Sequence, residues 1–207
     1  MFEIETLYDH LWSNTYIVGN ETDCFIIDPS NDIRNIKKLV NNRNVLGVFL
    51  THGHFDHFKT LVDTMKLYDT KIYLHKEALN KLKNPNSSCS NMFGYNTIID
   101  LEQKQYQIVH NGDKIKLNDF EIKILTTPGH TNCSICLMLD NVIFSGDTLF
   151  ETGVGRWDLP TGNVIELTKS IKMLLALKND YQVYPGHGET TSIFNEIITN
   201  PFYQRVK

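Results

Sequence analysis

Three histidines and an aspartate crowd into Thr51-His52-Gly53-His54-Phe55-Asp56-His57. His52 and His54 are two positions apart, so in extended backbone their rings project from the same face. Two imidazoles on one face form a borderline-soft metal site. Asp56 and His57 come next, at the turn into a helical run, where they can serve a second position nearby. Gly53 lets the backbone approach closely and take unusual dihedrals. The motif follows the apolar run Val45–Leu50. Polar groups clustered at the end of a buried strand need partners, and a metal supplies them.

Three further candidates share one local pattern. His130 lies in Thr127-Pro128-Gly129-His130-Thr131, Asp147 in Phe144-Ser145-Gly146-Asp147-Thr148, and His187 in Tyr184-Pro185-Gly186-His187-Gly188. Each follows a predicted strand and has a glycine immediately before it, the kind of strand end on which rigid sites are built. Cys133 and Cys136 form a CxxC spacing. The strand predicted from Ser134 onward puts them on opposite faces, so they are read as packing residues. His10, His75 and His110 lack ligand-like neighbours.

The elements that must carry these residues can be read from periodicity. Thr15–Val18 and Cys24–Ile27 flank Gly19-Asn20-Glu21 as a hairpin. Apolar spacing predicts helices over Asn31–Asn42, His57–Leu67, Lys76–Leu82, Val164–Leu177 and Thr191–Thr199. Strands are predicted at Val45–Leu50, Ile72–Leu74, Tyr106–Val109, Lys114–Leu117, Phe120–Thr126, Ile135–Leu139, Val142–Ser145 and Gln182–Tyr184. The turn-rich Asn84–Asn96 is a surface loop holding Phe93 and Tyr95. Two mixed sheets covered by helices satisfy this order, an α+β arrangement in a single domain over 1–207. These patterns alone do not identify the fold.

The chain has 207 residues, 41% of them hydrophobic, and a net charge of −4. That length buries a core without disulfide staples, and the charge lacks the basic footprint of a nucleic-acid binder. The N-terminal MFEIETLYDHLW is not a secretory signal, and no apolar stretch is long enough for a membrane span. Cytoplasmic location and reduced thiols are expected. The expected partner is a small-molecule substrate, with no nucleic acid and no membrane, on a monomer or small homo-oligomer.

HxHxDH followed by distant PGH, SGDT and PGHG motifs resembles the metallo-β-lactamase-fold hydrolase superfamily over nearly the whole chain. Asn14-Thr15-Tyr16 and Ile27-Asp28-Pro29 resemble its opening hairpin and first acidic motif. Gly146-Asp147-Thr148-Leu149-Phe150, Gly155-Arg156, Asp158-Leu159-Pro160 and Asn200-Pro201-Phe202 resemble the small glyoxalase II-like (hydroxyacylglutathione hydrolase-like) branch. The resemblance implies a four-layer αβ/βα sandwich of two mixed β-sheets flanked by helices. It implies that His52, His54 and His130 hold one metal, that Asp56, His57 and His187 hold a second, and that Asp147 bridges them. Two divalent ions are implied, zinc first, with iron and manganese served by the same donors. Three neutral imidazoles leave an open position on a catalytic zinc. A second ion about 3.5–4 Å away allows a bridging hydroxide and a clamp on a carbonyl oxygen. Asp147 offsets repulsion between the ions, and Asp56 orients the hydroxide as well as binding metal. Asp28 is read as a carboxylate that orients a metal-bound imidazole.

The implied activity is metal-dependent hydrolysis of a small acyl-thiol substrate by a metal-bound hydroxide, a glyoxalase II-like thioesterase. In similar enzymes a basic residue at Arg156 meets the substrate's anionic end; an ion pair with Asp158 is the structural alternative. Trp157 and Phe58-Lys59-Thr60 depart from the small residues common in the branch. The full hydroxyacylglutathione hydrolase carries a further C-terminal helical region that is missing after Asn200-Pro201-Phe202, so the thiol stays open. Rival readings are a mononuclear iron persulfide dioxygenase on the same fold and a non-catalytic metal-binding module. β-Lactam hydrolysis is expected only as a side activity.

Overall fold

The runs on either side of Gly19-Asn20-Glu21 pair antiparallel as β2 (Thr15–Gly19) and β3 (Asp23–Ile27), with Tyr16 opposite Ile27. Both strands are buried along almost their whole length, which suits an inner position in a sheet. The computed structural model describes residues 2–207, divided into two compact units, one running to Val109 and the other His110–Lys207. Residue 1, where the predicted single domain starts, lies outside the described residues.

In the first unit β2 and β3 belong to a six-stranded mixed sheet. Its order is β1 (Glu3–Leu7), β2, β3, β4 (Asn44–Phe49), β5 (Ile72–Leu74) and β6 (Tyr106–Ile108). β1 is an antiparallel edge strand, whereas β3 to β6 run parallel. Helix α1 (Ile33–Val40) begins where the Asp32 carboxylate accepts the Arg34 N–H, and it ends on the left-handed Asn41. Its Ile36 and Val40 are buried, each contributing about 1.5–3 kcal/mol by leaving water.

The helix predicted over His57–Leu67 starts later than expected. Phe55–His57 forms a 3₁₀ turn, Phe58 leaves helical geometry at φ −135°, and α2 spans Leu61–Tyr68. The reason is local: Thr60 turns its hydroxyl toward the carbonyls of Pro29 and Asn31, both at 3.0 Å. That anchors the segment to the loop after β3 rather than to a continuous helix. Helix α3 covers Lys76–Leu82 as predicted.

The second unit holds another six-stranded mixed sheet. Its order is β14 (Thr191–Ser192), β13 (Gln182–Pro185), β10 (Val142–Gly146), β9 (Ile135–Leu139), β8 (Phe120–Thr126) and β7 (Lys114–Leu117). A small hairpin, β11 (Leu149–Phe150) with β12 (Gly153–Val154), stands apart. Helix α4 (Val164–Leu175) buries Leu167, Ile171 and Leu174, the i, i+4, i+7 stripe of a core-facing helix. These residues pack with Cys136, Ile143, Val183 and Ile193. The last predicted helix also starts later than expected. Thr191 and Ser192 pair with β13 as β14, and α5 (Ile193–Thr199) begins after Ser192 caps it. Helix α6 (Pro201–Val206) follows, capped by Asn200 with proline in its first turn. Among the described residues no helix is long and apolar enough to cross a membrane.

Strand direction sets the useful edges. β10 is parallel to β13, and two antiparallel steps make β8 run the same way. The carboxyl ends of β8, β10 and β13 therefore share one edge of the second sheet, and those ends feed His130, Asp147 and His187. In the first sheet the parallel β3 and β4 likewise deliver Asp28 and the His52–His57 segment to one edge.

Candidate metal centre

In the first unit His52, His54 and His57 are buried, and Asp56 is partly exposed. His52 Nε2 and His54 Nδ1 lie 3.2 Å apart. Two donors each about 2.1 Å from a tetrahedral ion are about 3.4 Å apart, so this is the spacing of ligands on one ion. Asp56 Oδ2 and His57 Nε2, at 4.0 Å, form a second donor pair.

Hydrogen bonds around these rings decide where their protons sit. Asp28 is 2% exposed. Its carboxylate accepts the Thr51 N–H at 2.8 Å, the Thr51 hydroxyl at 2.6 Å and the His57 Nδ1–H at 2.8 Å. The single hydroxyl proton of Thr51 is thus committed to Asp28. Thr51 Oγ1 must then accept from His52 Nδ1, 3.2 Å away. Both rings consequently carry their proton on Nδ1 and turn a lone pair on Nε2 outward, the state a metal needs. Asp28 has a left-handed φ of 51°, and Thr15 on β2 binds its carbonyl at 2.7 Å.

In the second unit Asp147 Oδ2 lies 3.5 Å from His130 Nε2 and 3.8 Å from His187 Nε2. One carboxylate thus reaches two imidazoles at ligand spacing. His130 donates its Nδ1–H to the Arg156 carbonyl at 2.7 Å, which again leaves Nε2 outward. The turn before it is pinned to α4. Gly129 has φ +144°, and a side chain there would sit on the Leu167 backbone, so only glycine fits. Ser170 holds the Pro128 carbonyl at 2.7 Å. His187 is a third exposed and is the open member of the set.

The donors, five imidazoles and two carboxylates, suit divalent zinc, iron or manganese. Their spacing and tautomers within each unit also fit such ions.

The remaining predicted residues are placed as follows. Arg156 is exposed and forks onto Asp158, with Nε at 2.8 Å and Nη2 at 2.7 Å. That guanidinium holds the Asp158 carboxyl down at about 2. Phe93 and Tyr95 pack with Trp12 and Phe55, Tyr95 at 4.9 Å from Phe55 and Phe93 at 5.4 Å from Trp12. Lys59 lies 3.9 Å over the Trp12 ring, which gives the unusual Phe58-Lys59-Thr60 segment a cation–π role. Cys133 and Cys136 are buried thiols, and burial pushes Cys136 up to about 12. His75 caps α3 by accepting the Glu77 N–H. Sequence reasoning missed Thr51 as the link between Asp28 and His52. Its place directly before the first histidine was the available signal.

The metallo-β-lactamase superfamily model matches residues 11–187. The chain belongs to the metallo-β-lactamase superfamily. Its fold is the expected α+β metallo-β-lactamase fold, two mixed sheets flanked by helices. A probable metallo-hydrolase of Streptococcus pyogenes is 32% identical over 92% of this chain and 85% of its own length. The crystal structure of BLEG-1 B3 metallo-β-lactamase matches with a TM-score of 0.89 at 28% identity, covering 98% of this chain and 99% of that one. TTHA1623 in a di-iron-bound form matches with a TM-score of 0.82 at 30% identity, covering 97% and 99%. The protein therefore stands among the metallo-hydrolases of this superfamily.

Proposed function

We propose that this metallo-hydrolase is a glyoxalase II-like thioesterase acting on a small acyl-thiol substrate. His52, His54 and His130 would hold one divalent ion, and Asp56, His57 and His187 would hold the other. Asp147 would supply its carboxylate to both, and zinc is the first choice of metal. The observation that carries the reading is the set of imidazoles whose Nδ1 protons are committed to Thr51, Asp28 and the Arg156 carbonyl. The choice of a thioester rests on the Gly146–Phe150, Gly155-Arg156, Asp158–Pro160 and Asn200–Phe202 motifs.

When bound, a pair of divalent ions supplies an acidified water and polarises a carbonyl. The chain's own contributions are positional and electrostatic. Asp28 orients His57, the Arg156 carbonyl orients His130, and the Asp147 carboxylate balances cationic charge. Asp56 is the carboxylate that would orient a water in the loaded site. The Lys59–Trp12–Phe93–Tyr95 group backs the segment that carries Asp56 and His57.

The deciding experiment combines metal analysis of protein from its natural host with turnover of hydroxyacyl thioesters, oxygen esters and a β-lactam. Two ions per chain and preference for the thioesters are expected. Because TTHA1623 is known in a di-iron-bound form, iron is measured with zinc. Oxygen uptake with a persulfide, in place of thioester cleavage, would overturn the hydrolase assignment.

A further inference from the structure

Glu196 is a fully buried carboxylate outside the ligand set. Four donors satisfy it. Oε1 accepts Thr191 Oγ1 at 2.6 Å and Asn195 Nδ2 at 3.2 Å. Oε2 accepts Asn200 Nδ2 at 2.8 Å and, from outside the helix, the Thr152 N–H at 3.0 Å. Asn200 sits one helical turn on, and its Nδ2 also donates to the Gly153 carbonyl at 3.0 Å. Its Oδ1 meanwhile caps α6 through Phe202 and Tyr203. The i, i+4 pair therefore grips the Thr152-Gly153 dipeptide at both ends, by the Thr152 N–H and the Gly153 carbonyl.

That peptide closes the β11–β12 hairpin, in which Phe150 pairs with Gly153. Thr152 has φ +53°, a left-handed conformation that a β-branched residue adopts only under constraint. The hairpin sits inside the loop that starts at Asp147 and ends at Arg156. The loop's two ends meet. A side chain at Gly155 would strike the Asp147 carbonyl and crowd His130 Cβ, and the Arg156 carbonyl holds His130 Nδ1. Displacing the turn at Thr152 shifts both Asp147 and the group that orients His130.

We infer that Glu196 and Asn200 are positioning residues for the Asp147–His130 ligand pair, acting by clamping Thr152 in its left-handed turn. The inference rests on the metal-centre reading above. Glu196 and Asn200 hold Thr152 and Gly153, so their effect passes through the loop.

The test uses the full chain with zinc and cobalt as probes. Asn200→Asp keeps a good helix cap but loses both Nδ2 donations and sets a second carboxylate against Glu196. Glu196→Gln replaces one acceptor with a donor facing other donors. Both variants should weaken zinc binding, measured by chelator competition, by about 10–100-fold, as loss of groups that orient metal ligands does. Their cobalt absorption should change, and kcat should fall more than KM rises. Thr152→Gly supplies the backbone conformation without the clamp, so adding it to Asn200→Asp should recover most of the affinity and the spectrum. Wild-type affinity and spectrum in folded Asn200→Asp and Glu196→Gln would overturn the clamp. So would an affinity loss, or an unfolded Asn200→Asp, that Thr152→Gly does not repair. If the wild-type chain binds neither metal, the metal-centre reading fails; if it binds and the variants bind equally, only the clamp fails.

Discussion

The Asp28 carboxylate meets the His57 ring at 2.8 Å, Oδ2 to Nδ1, with both side chains almost fully excluded from solvent. Two Thr51 donors complete that carboxylate, so its charge is oriented rather than mobile. A carboxylate held in this way fixes the tautomer of the histidine and strengthens Nε2 as a metal donor.

Asp28→Asn tests this electrostatically. Asparagine tolerates the left-handed backbone at φ 51°, so the turn is preserved. Its amide can present only one acceptor oxygen to Thr51 and His57, and the negative charge is gone. Zinc affinity should fall about 10–100-fold, with little change in the circular dichroism of the metal-stripped protein. Equal chelator resistance in variant and wild type would show that Asp28 only shapes the turn.

Asp147→Ala should abolish turnover more completely than replacement of any single histidine. One oxygen of this carboxylate lies 3.5 Å from His130 Nε2 and 3.8 Å from His187 Nε2, so on the proposed two-ion reading its loss would remove an anion shared by both cations. Metal content should drop below one ion per chain by elemental analysis. Full metal content with retained turnover would contradict a bridging role.

The candidate-ligand motifs stand out because glycine and histidine types at strand ends survive in a bare sequence, and most strands are legible too, several to the residue. Ile72–Leu74, Lys114–Leu117, Phe120–Thr126 and Ile135–Leu139 fall where the sequence reading puts them. Helix starts were less legible. Apolar spacing runs unbroken from Phe58 to Met65, yet Thr60 spends its hydroxyl on Pro29 and Asn31, contacts some thirty residues away. β1, β11 and β12 are short or partly exposed and carry little periodic signal. Glu196 and Asn200 look like ordinary helix and cap residues until the fold brings Thr152 to them. Asn200-Pro201 did carry a readable helix start.

The cysteines predict a pH response. Burial raises the Cys24 thiol to about 11 and the Cys136 thiol to about 12, against about 8.5 in an unfolded chain. A raised thiol pKa means that the unfolded state loses its proton first. The stabilisation from the neutral thiols is complete below about pH 8.5 and is lost as pH rises through the folded values. The wild-type urea midpoint should therefore fall more steeply between pH 9 and 11, roughly the span between those pKa values, than that of a Cys24→Ala, Cys136→Ala double variant. At pH 8 a thiol reagent should label neither residue before unfolding. Parallel slopes in the two proteins would mean that other groups control alkaline stability.

The final prediction concerns Arg156, which the sequence reading left between a substrate carboxylate and an ion pair with Asp158, and which the structure finds forked onto Asp158. Both groups are more than half exposed, and an exposed pair of this kind contributes little to stability. The guanidinium can therefore exchange one carboxylate for another at small cost. His130 is held by the Arg156 backbone carbonyl rather than by its side chain, so side-chain replacement should leave the metals in place. We propose that an anionic thioester takes the fork from Asp158. Arg156→Ala should then lower kcat/KM for anionic thioesters by about 1.5–3 kcal/mol, the range for one charge-assisted contact, and leave neutral thioesters nearly unchanged. Arg156→Lys should recover only part of the loss, because it keeps the charge and gives up the fork. Asp158→Asn removes the competing carboxylate and should improve turnover of the anionic substrates. Steady-state kinetics on matched charged and neutral thioesters, with metal content measured on each variant, separates these outcomes. An unchanged charge preference in Arg156→Ala would leave Arg156 as a partner of Asp158 alone.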